Sequence, residues 1–311
     1  MTLPMYFNSK KSPNLFGLRD NFDFLRNLYI KNRLPKVLML SGKKGSGKST
    51  LINHLMYSIF DKENYKEDNN DYNFNSIFYN QFLDNIYANI IYLSGSELKN
   101  ISIDDVRNLK KKINKTTISD LSRFIILDDV ELFYRNSLNA LLKVIEEPSK
   151  NNYFLLINNK SKPLIETIKS RCIEIKIILN EAKRVNIIKS LINKFEINSI
   201  IDSKNSDLSP GQFLKFNYIL NENKISPDDD FIKNLVILLN LYKKNKDIIF
   251  IDIILFLSNS YFNSLRNNSS LSSDKIIEYK SFVFENINNF FLYNLNQNTL
   301  LNNISRKINN E

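Results

Sequence analysis

Two rhythms of apolar residues run along this chain. Up to about residue 178, short continuous apolar runs alternate with amphipathic stretches; beyond it only the helical rhythm continues. Val37–Leu40, Asn89–Leu93, Phe124–Asp129, Tyr153–Ile157 and Ile173–Ile177 read as strands. Runs this apolar, with helical segments between them, predict βαβ units and a parallel sheet covered on both faces. Helices are expected over 19–33, where Phe22, Leu25, Leu28 and Tyr29 share a face, and from Thr50 onward. A third runs over 102–113, with Ser102 as N-cap and Asp105 at the reciprocal position, and a fourth over 136–147, stopped by Pro148. Asp61 to Asn85 is polar, Asn- and Tyr-rich and weakly patterned, and reads as an insertion with little regular structure.

Later helices are expected over 180–195 and, after a polar joint ending at Gly211, through Leu220. A linker, Asn221–Ile225, then leads to a strong start signal: Ser226 as N-cap, Pro227 in the first position, and Asp228–Asp230 facing the positive end of the dipole. Long helices follow over 227–244, 248–266 and 272–297. The expected architecture is an α/β core with a parallel five-stranded sheet (1–178), a small helical lid (179–225) and an all-α domain (226–311).

Composition narrows the class. At 311 residues the chain can bury a sizeable core. Its richest apolar run, Ile248–Leu257, is too short for a membrane span and carries Asp252. The first residues lack a basic region followed by an apolar one, so no signal peptide is read. A single cysteine, Cys172, excludes an internal disulfide and a cysteine-cluster zinc site. A soluble, cytoplasmic protein is expected. The net charge of +10 is concentrated early: ten Lys or Arg stand in residues 1–60 against Asp20 and Asp23. That excess suits polyphosphate or nucleic acid, and equally a solvated lysine surface in an Asn-, Lys- and Ile-rich chain.

Candidate chemistry centres on Gly42-Lys43-Lys44-Gly45-Ser46-Gly47-Lys48-Ser49, which fits the phosphate-binding pattern G-x-x-x-x-G-K-[ST] without mismatch. It stands between a strand and a helix, the context the pattern needs. Gly42, Gly45 and Gly47 let the backbone curl, so that N–H groups, including those of Ser46 and Thr50, face a phosphate chain. Lys48 would reach the β- and γ-phosphates and Ser49 would hold Mg²⁺. A chance Gly-rich turn would not need strand, loop and helix all in place. The strand ending on Asp128-Asp129 carries its carboxylates to the edge where parallel sheets bind ligands. There Asp128 can hold Mg²⁺ through water and Asp129 can orient an attacking water. Asn159, after the fourth strand, can sense a γ-phosphate; as an ordinary loop asparagine it is equally well accounted for.

Longer motifs carry a family resemblance. The run Asn139 to Pro148 (NALLKVIEEP), then an apolar strand and Ser170-Arg171-Cys172, resembles the clamp-loader branch of the AAA+ ATPases. Arg33-Leu34-Pro35 and Ile103-Asp104-Asp105-Val106-Arg107 extend the likeness, which covers about residues 14–178. Within that branch, Asp128-Asp129 and the Ser209-Pro210-Gly211 turn are most similar to the delta-prime type of subunit. The resemblance implies ATP or ADP with Mg²⁺ as cofactor. It implies a hetero-oligomeric ring of motor and delta-type subunits as partners, with the sliding clamp and primer–template DNA reached through the complex and no membrane. It makes 226–311 an oligomerisation collar, and Arg171 an arginine finger acting in trans on a neighbour's ATP site.

Three departures from the family pattern matter. Residues 61–88 hold none of the four zinc cysteines that bacterial members often carry. Asp129 is a methylene shorter than the glutamate of efficient water-orienting bases. Gln212 stands where active members offer an arginine to the γ-phosphate. These imply a subunit that binds ATP and hydrolyses it weakly or not at all. An ATP-hydrolysing motor subunit is the alternative; a small-molecule P-loop kinase has no use for the helical C-terminal region.

Overall fold

The computed structural model describes residue 4 and residues 7–12, 14–66, 71–96, 101–114, 121–204, 206–268 and 271–309. Residues 1–3 and 5–6, 67–70 of the expected insertion, and Ser269–Ser270 of the expected polar break lie outside them. The chain divides into two compact units, one formed by the chain to residue 195 with 203–214, the other by 196–202 with 215 onward.

In the first unit the elements follow the apolar pattern closely. They are α1 (Arg19–Ile30), β1 (Val37–Ser41), α2 (Lys48–Phe60), β2 (Tyr65–Lys66), β3 (Asp71–Tyr72), α3 (Ile77–Leu83), β4 (Ile90–Ser94), α4 (Ile103–Asn114), β5 (Arg123–Asp128), α5 (Arg135–Glu146), β6 (Asn152–Asn158), α6 (Glu166–Lys169), β7 (Ile173–Lys176) and α7 (Glu181–Phe195). The main sheet has five strands in the order β4-β5-β6-β1-β7, every pair parallel. Its central strands are buried on both faces. Leu38, Leu40, Phe124, Ile126, Leu155 and Ile157 pack on the side of α1 and α2. Val37, Met39, Ile125, Leu127, Phe154 and Leu156 pack on the side of α4 and α5. The order brings the carboxyl ends of β1, β5 and β6 side by side, with Ser41 opposite Asn158. The α4 start is the expected reciprocal cap: the Ser102 N–H donates to Asp105 at 2.8 Å and the Asp105 N–H to Ser102 Oγ at 3.2 Å.

The insertion is more ordered than its polarity suggests. It holds the β2–β3 hairpin and α3, capped by Ser76, and is bound by aromatic rings rather than by periodic aliphatics. Tyr57 stacks on Tyr72 with centroids 4.0 Å apart, and Phe78, Tyr79, Phe82 and Phe60 join the cluster. Both Tyr57 and Tyr72 donate to the Lys10 carbonyl at 3.1 Å, fastening the short N-terminal 3₁₀ turn at Ser9–Lys11.

His54, fully buried in this cluster, lies 3.1 Å from the Ser12 carbonyl through Nε2 and 3.1 Å from the Tyr65 hydroxyl through Nδ1. A carbonyl only accepts, so Nε2 carries the proton and Nδ1 accepts from Tyr65. Burial pulls its pKa down to about 4. The unfolded imidazole protonates near 6.5 while the folded one resists. Its stabilisation is therefore complete above about pH 6.5 and lost as pH falls toward 4, by about 3 kcal/mol in all. Urea midpoints measured across this range should fall more steeply for the wild type than for His54→Gln. Parallel curves would contradict this.

The second unit contains most of α8 (Pro210–Glu222), then α9 (Phe231–Asn245), α10 (Ile249–Asn268), α11 (Ser273–Tyr293) and α12 (Gln297–Asn309). Within it α9 packs on α10 and α12, and α11 on α10 and α12. Two boundaries differ from expectation. Ser226–Asp229 forms a turn, and α9 starts at Phe231 because Asp230 accepts the Lys233 N–H at 2.7 Å and so caps it. The expected 272–297 helix stops at Tyr293, where Asn294 turns left-handed, and α12 follows. The core of α11 is aliphatic (Ile276, Val283, Ile287), while Phe282, Phe284, Phe290 and Phe291 are half-buried and Tyr293 is 70 % exposed. Among the described residues, no helix is long and apolar enough to cross a membrane.

Candidate nucleotide site

β1 delivers its carboxyl end into the Gly-rich loop, which the Gly42 N–H anchors to the Asn158 carbonyl at 3.1 Å. Gly47 takes φ 91° and serves as the N-cap of α2, so α2 opens with Lys48, Ser49 and Thr50. No side chain caps this start, and the first-turn N–H groups remain as donors for an anion. Lys48 is 2 % exposed and donates to the carbonyls of Gly42 at 2.9 Å and Lys43 at 2.7 Å. Burial lowers its pKa to about 8, against the opposing pull of Asp128, Glu131 and Asp129. At neutral pH the ammonium stays mostly charged.

Ser49 Oγ donates to Asp128 Oδ2 at 2.9 Å, and Tyr92 OH donates to the same oxygen at 2.8 Å. Burial, and after it the neighbouring Asp129 charge, raises Asp128 to about 6. The pairing of a hydroxyl with a carboxylate at this strand end fits the oxygen-donor set that Mg²⁺ takes. Asp129 stands at φ 52°, and its Oδ1 accepts from Asn159 Nδ2 at 2.7 Å. The sheet order thus brings together Gly42, Gly45, Ser46, Gly47, Lys48, Ser49 and Thr50 with Asp128, Asp129 and Asn159.

Three features of the site were not foreseen. Glu131, 5 % exposed, follows the acidic pair and binds the Asn159–Ser161 loop; one acid in a short 3₁₀ turn carries no spacing signal. The start of α8, with Ser209 before it, lies directly on the Gly-rich loop: Ser209 Oγ donates to the Lys44 carbonyl at 2.5 Å and the Gly211 N–H to the Gly45 carbonyl at 2.9 Å. A methyl group on Gly211 would stand 2.9 Å from the Gly45 oxygen, so only glycine permits this approach. Gln212 is turned back into the cap of its own helix, where it accepts the Ser209 N–H at 3.4 Å. The Ser-x-x-Gln spacing was the readable sign of that cap. Finally, a groove of about 430 Å³ is lined by Phe16, Gly17, Lys183 and Ile187, among others. Leu18, the residue after Gly17, packs on the Gly-rich loop: its Cδ1 would stand 2.9 Å from a Cβ on Gly47.

Arg171 does not join the cluster. It precedes β7, at the amino-end edge of a parallel sheet whose opposite edge carries the phosphate loop. A four-residue strand separates the two edges by roughly 13 Å. There Arg171 Nε donates to Glu146 Oε1 at 2.6 Å and Nη1 to the Thr167 carbonyl at 2.9 Å, with its side chain 35 % exposed. The ordinary role of a surface arginine, pairing with a carboxylate, is therefore met within the chain.

A family model described as DNA polymerase III, delta subunit, matches residues 18–181, just over half of the chain. DNA polymerase III subunit delta' of Buchnera aphidicola subsp. Baizongia pistaciae is 36 % identical over 81 residues, 26 % of this chain and 24 % of that protein. The delta' subunit of Buchnera aphidicola subsp. Acyrthosiphon pisum is 27 % identical over 201 residues, covering 60 % of each chain. The matches thus span between about a quarter and three-fifths of these relatives' own length. Among solved structures, a gamma subunit-related protein from Thermotoga maritima superposes with a TM-score of 0.48 at 16 % identity, over 92 % of this chain and 99 % of that one.

Proposed function

The chain belongs to the DNA polymerase III delta-subunit family, and from that premise we propose that it is a delta-prime-type subunit of the clamp loader, the ATP-dependent assembly that places the sliding clamp on primed DNA. In this reading it holds ATP or ADP, turns it over poorly, and braces the ring through its helical C-terminal region. Family membership removes the small-molecule kinase reading.

One observation carries the proposal: the Gly-rich loop, Lys48, Ser49 and Asp128 stand together at one sheet edge, while Asp129 and Gln212 are hydrogen-bonded within the chain. The uncapped N–H groups at the start of α2 and the Lys48 ammonium, released from the Gly42 and Lys43 carbonyls, would bind the phosphates, and Phe16 and Ile187 would offer an apolar wall to the base. Ser49 and Asp128 would hold Mg²⁺, whose charge draws the terminal phosphates into place. Asp129, the short acid, accepts an Asn159 amide hydrogen on its carboxylate, and Gln212 caps its own helix instead of reaching over the loop. Without an arginine there, developing charge on the transferred phosphoryl group goes unmatched from the lid side. The intact loop is also what the motor reading would rest on, and brisk turnover would promote it.

Arg171 cannot serve its own site from the opposite sheet edge, so a catalytic role for it is one in trans. The half-buried aromatic rows of α11, with Tyr293 exposed, suit a surface that partner subunits cover. Mixing the purified full-length chain with the other loader subunits of its own cells should give a stoichiometric complex by size-exclusion chromatography. A chain that elutes alone under all conditions would contradict the assignment.

A further inference from the structure

Glu131 sits on a 3₁₀ turn, Val130–Leu132, immediately after the acidic pair. Its Oε1 accepts the Asn159 N–H at 3.0 Å, the Ser161 hydroxyl at 2.8 Å and the Ser161 N–H at 3.3 Å. Its Oε2 is buried with no hydrogen-bond partner. A buried carboxylate with one bare oxygen is costly, and persists where it holds something in place. What it holds is the loop that follows β6. From that loop Asn159 sends one amide hydrogen to Asp129, leaving its second for another acceptor. Asp129 itself is in the left-handed region at φ 52°, a strained setting for a residue with a side chain. The turn thus fixes both partners of the Asn159–Asp129 bond, one through the main chain and one through Glu131.

Building on the nucleotide-site reading above, we infer that Glu131 is a positioning residue that holds Asn159 in register with Asp129 and so lets the site distinguish a nucleoside triphosphate from a diphosphate. Glu131 and the Asn159 loop both stand near the Lys48 ammonium. Asp128, Glu131 and Asp129 all act on the Lys48 ammonium, together with Lys160 from the Asn159 loop. The γ-phosphate is the group that would enter among them, and the free Asn159 amide hydrogen is a donor for it. A diphosphate would bind the backbone N–H groups and Lys48 without needing Asn159. Loss of one hydrogen bond to a charged group corresponds to roughly tenfold or more in affinity.

The test has two arms on the full-length chain. Without nucleotide, amide hydrogen exchange at Asn159 and Ser161 should speed up at least about tenfold in Glu131→Ala, while amides of β5 change little. Glu131→Gln, which keeps the acceptor oxygen, should stay near the wild-type rate. With nucleotide, Glu131→Ala should weaken ATP binding roughly tenfold and leave ADP affinity alone, as should Asn159→Ala. The double variant should add nothing, since both changes remove one device. Unchanged exchange in Glu131→Ala, or equal losses for ATP and ADP, would overturn the inference. A wild type that binds neither nucleotide would sink the underlying reading and the discrimination with it. The exchange arm would still decide whether Glu131 holds the loop.

Discussion

Arg171→Ala is expected to lower ATP turnover by the neighbouring subunit of a reconstituted loader by roughly three orders of magnitude or more, the range seen for arginine fingers. This chain's own folding, nucleotide binding and assembly should not change. The Arg171–Glu146 pair it would break is 35 % and 41 % exposed, and such surface pairs contribute little to stability. A loss of rate would therefore not be a loss of fold. Glu146 and the Thr167 carbonyl also orient the guanidinium, so that a planar fork is presented rather than a mobile charge. Arg171→Lys should for that reason fail nearly as badly, because an ammonium cannot bond two phosphoryl oxygens in that geometry. Only this subunit is mutated in the assay, and DNA- and clamp-stimulated phosphate release is read. Wild-type rates in both variants would leave Arg171 as the surface charge that its pairing with Glu146 already explains.

Lys48→Ala is expected to weaken ATP and ADP binding by roughly a hundredfold or more, the worth of two or so charge-assisted hydrogen bonds. The argument goes beyond the lost bonds. Asp128, Asp129 and Glu131 all act on this one ammonium, and its removal leaves their negative charge uncompensated beside the loop. The variant also leaves the Gly42 and Lys43 carbonyls without their donor. A modest fall in melting temperature should accompany the binding loss, and circular dichroism separates it from unfolding. Retained binding within a fewfold would mean that the loop does not hold phosphate in the way described.

Much of the α/β unit could be read in advance because its strands are buried on both faces. Such strands appear as unbroken apolar runs, and Phe124–Leu127 or Phe154–Ile157 leave little choice of element. The Gly-rich turn between β1 and α2 and the Ser102–Asp105 cap were equally legible, since each needs particular residues at fixed spacing. The insertion was not, because its order comes from rings such as Tyr57, Tyr72 and Phe82 meeting across elements, with no helical or alternating period. Ser226-Pro227 looked like a helix start, yet Asp230 offers a cap just before the apolar face of Phe231, Leu235 and Leu238. Glu131 was invisible for a different reason: its partners lie on a loop 28 or more residues away. Arg171 was singled out by its motif, but only the sheet's direction places it at the edge opposite the Gly-rich loop.

The central claim is that this subunit holds nucleotide without efficiently consuming it. Equilibrium binding of ATP and release of phosphate, both measured on the purified wild-type chain with Mg²⁺, test it most directly. Saturable binding that Lys48→Ala abolishes, with turnover barely above background and unmoved by DNA, is the predicted result. Brisk, DNA-independent hydrolysis by the isolated chain would contradict it and make this a motor subunit.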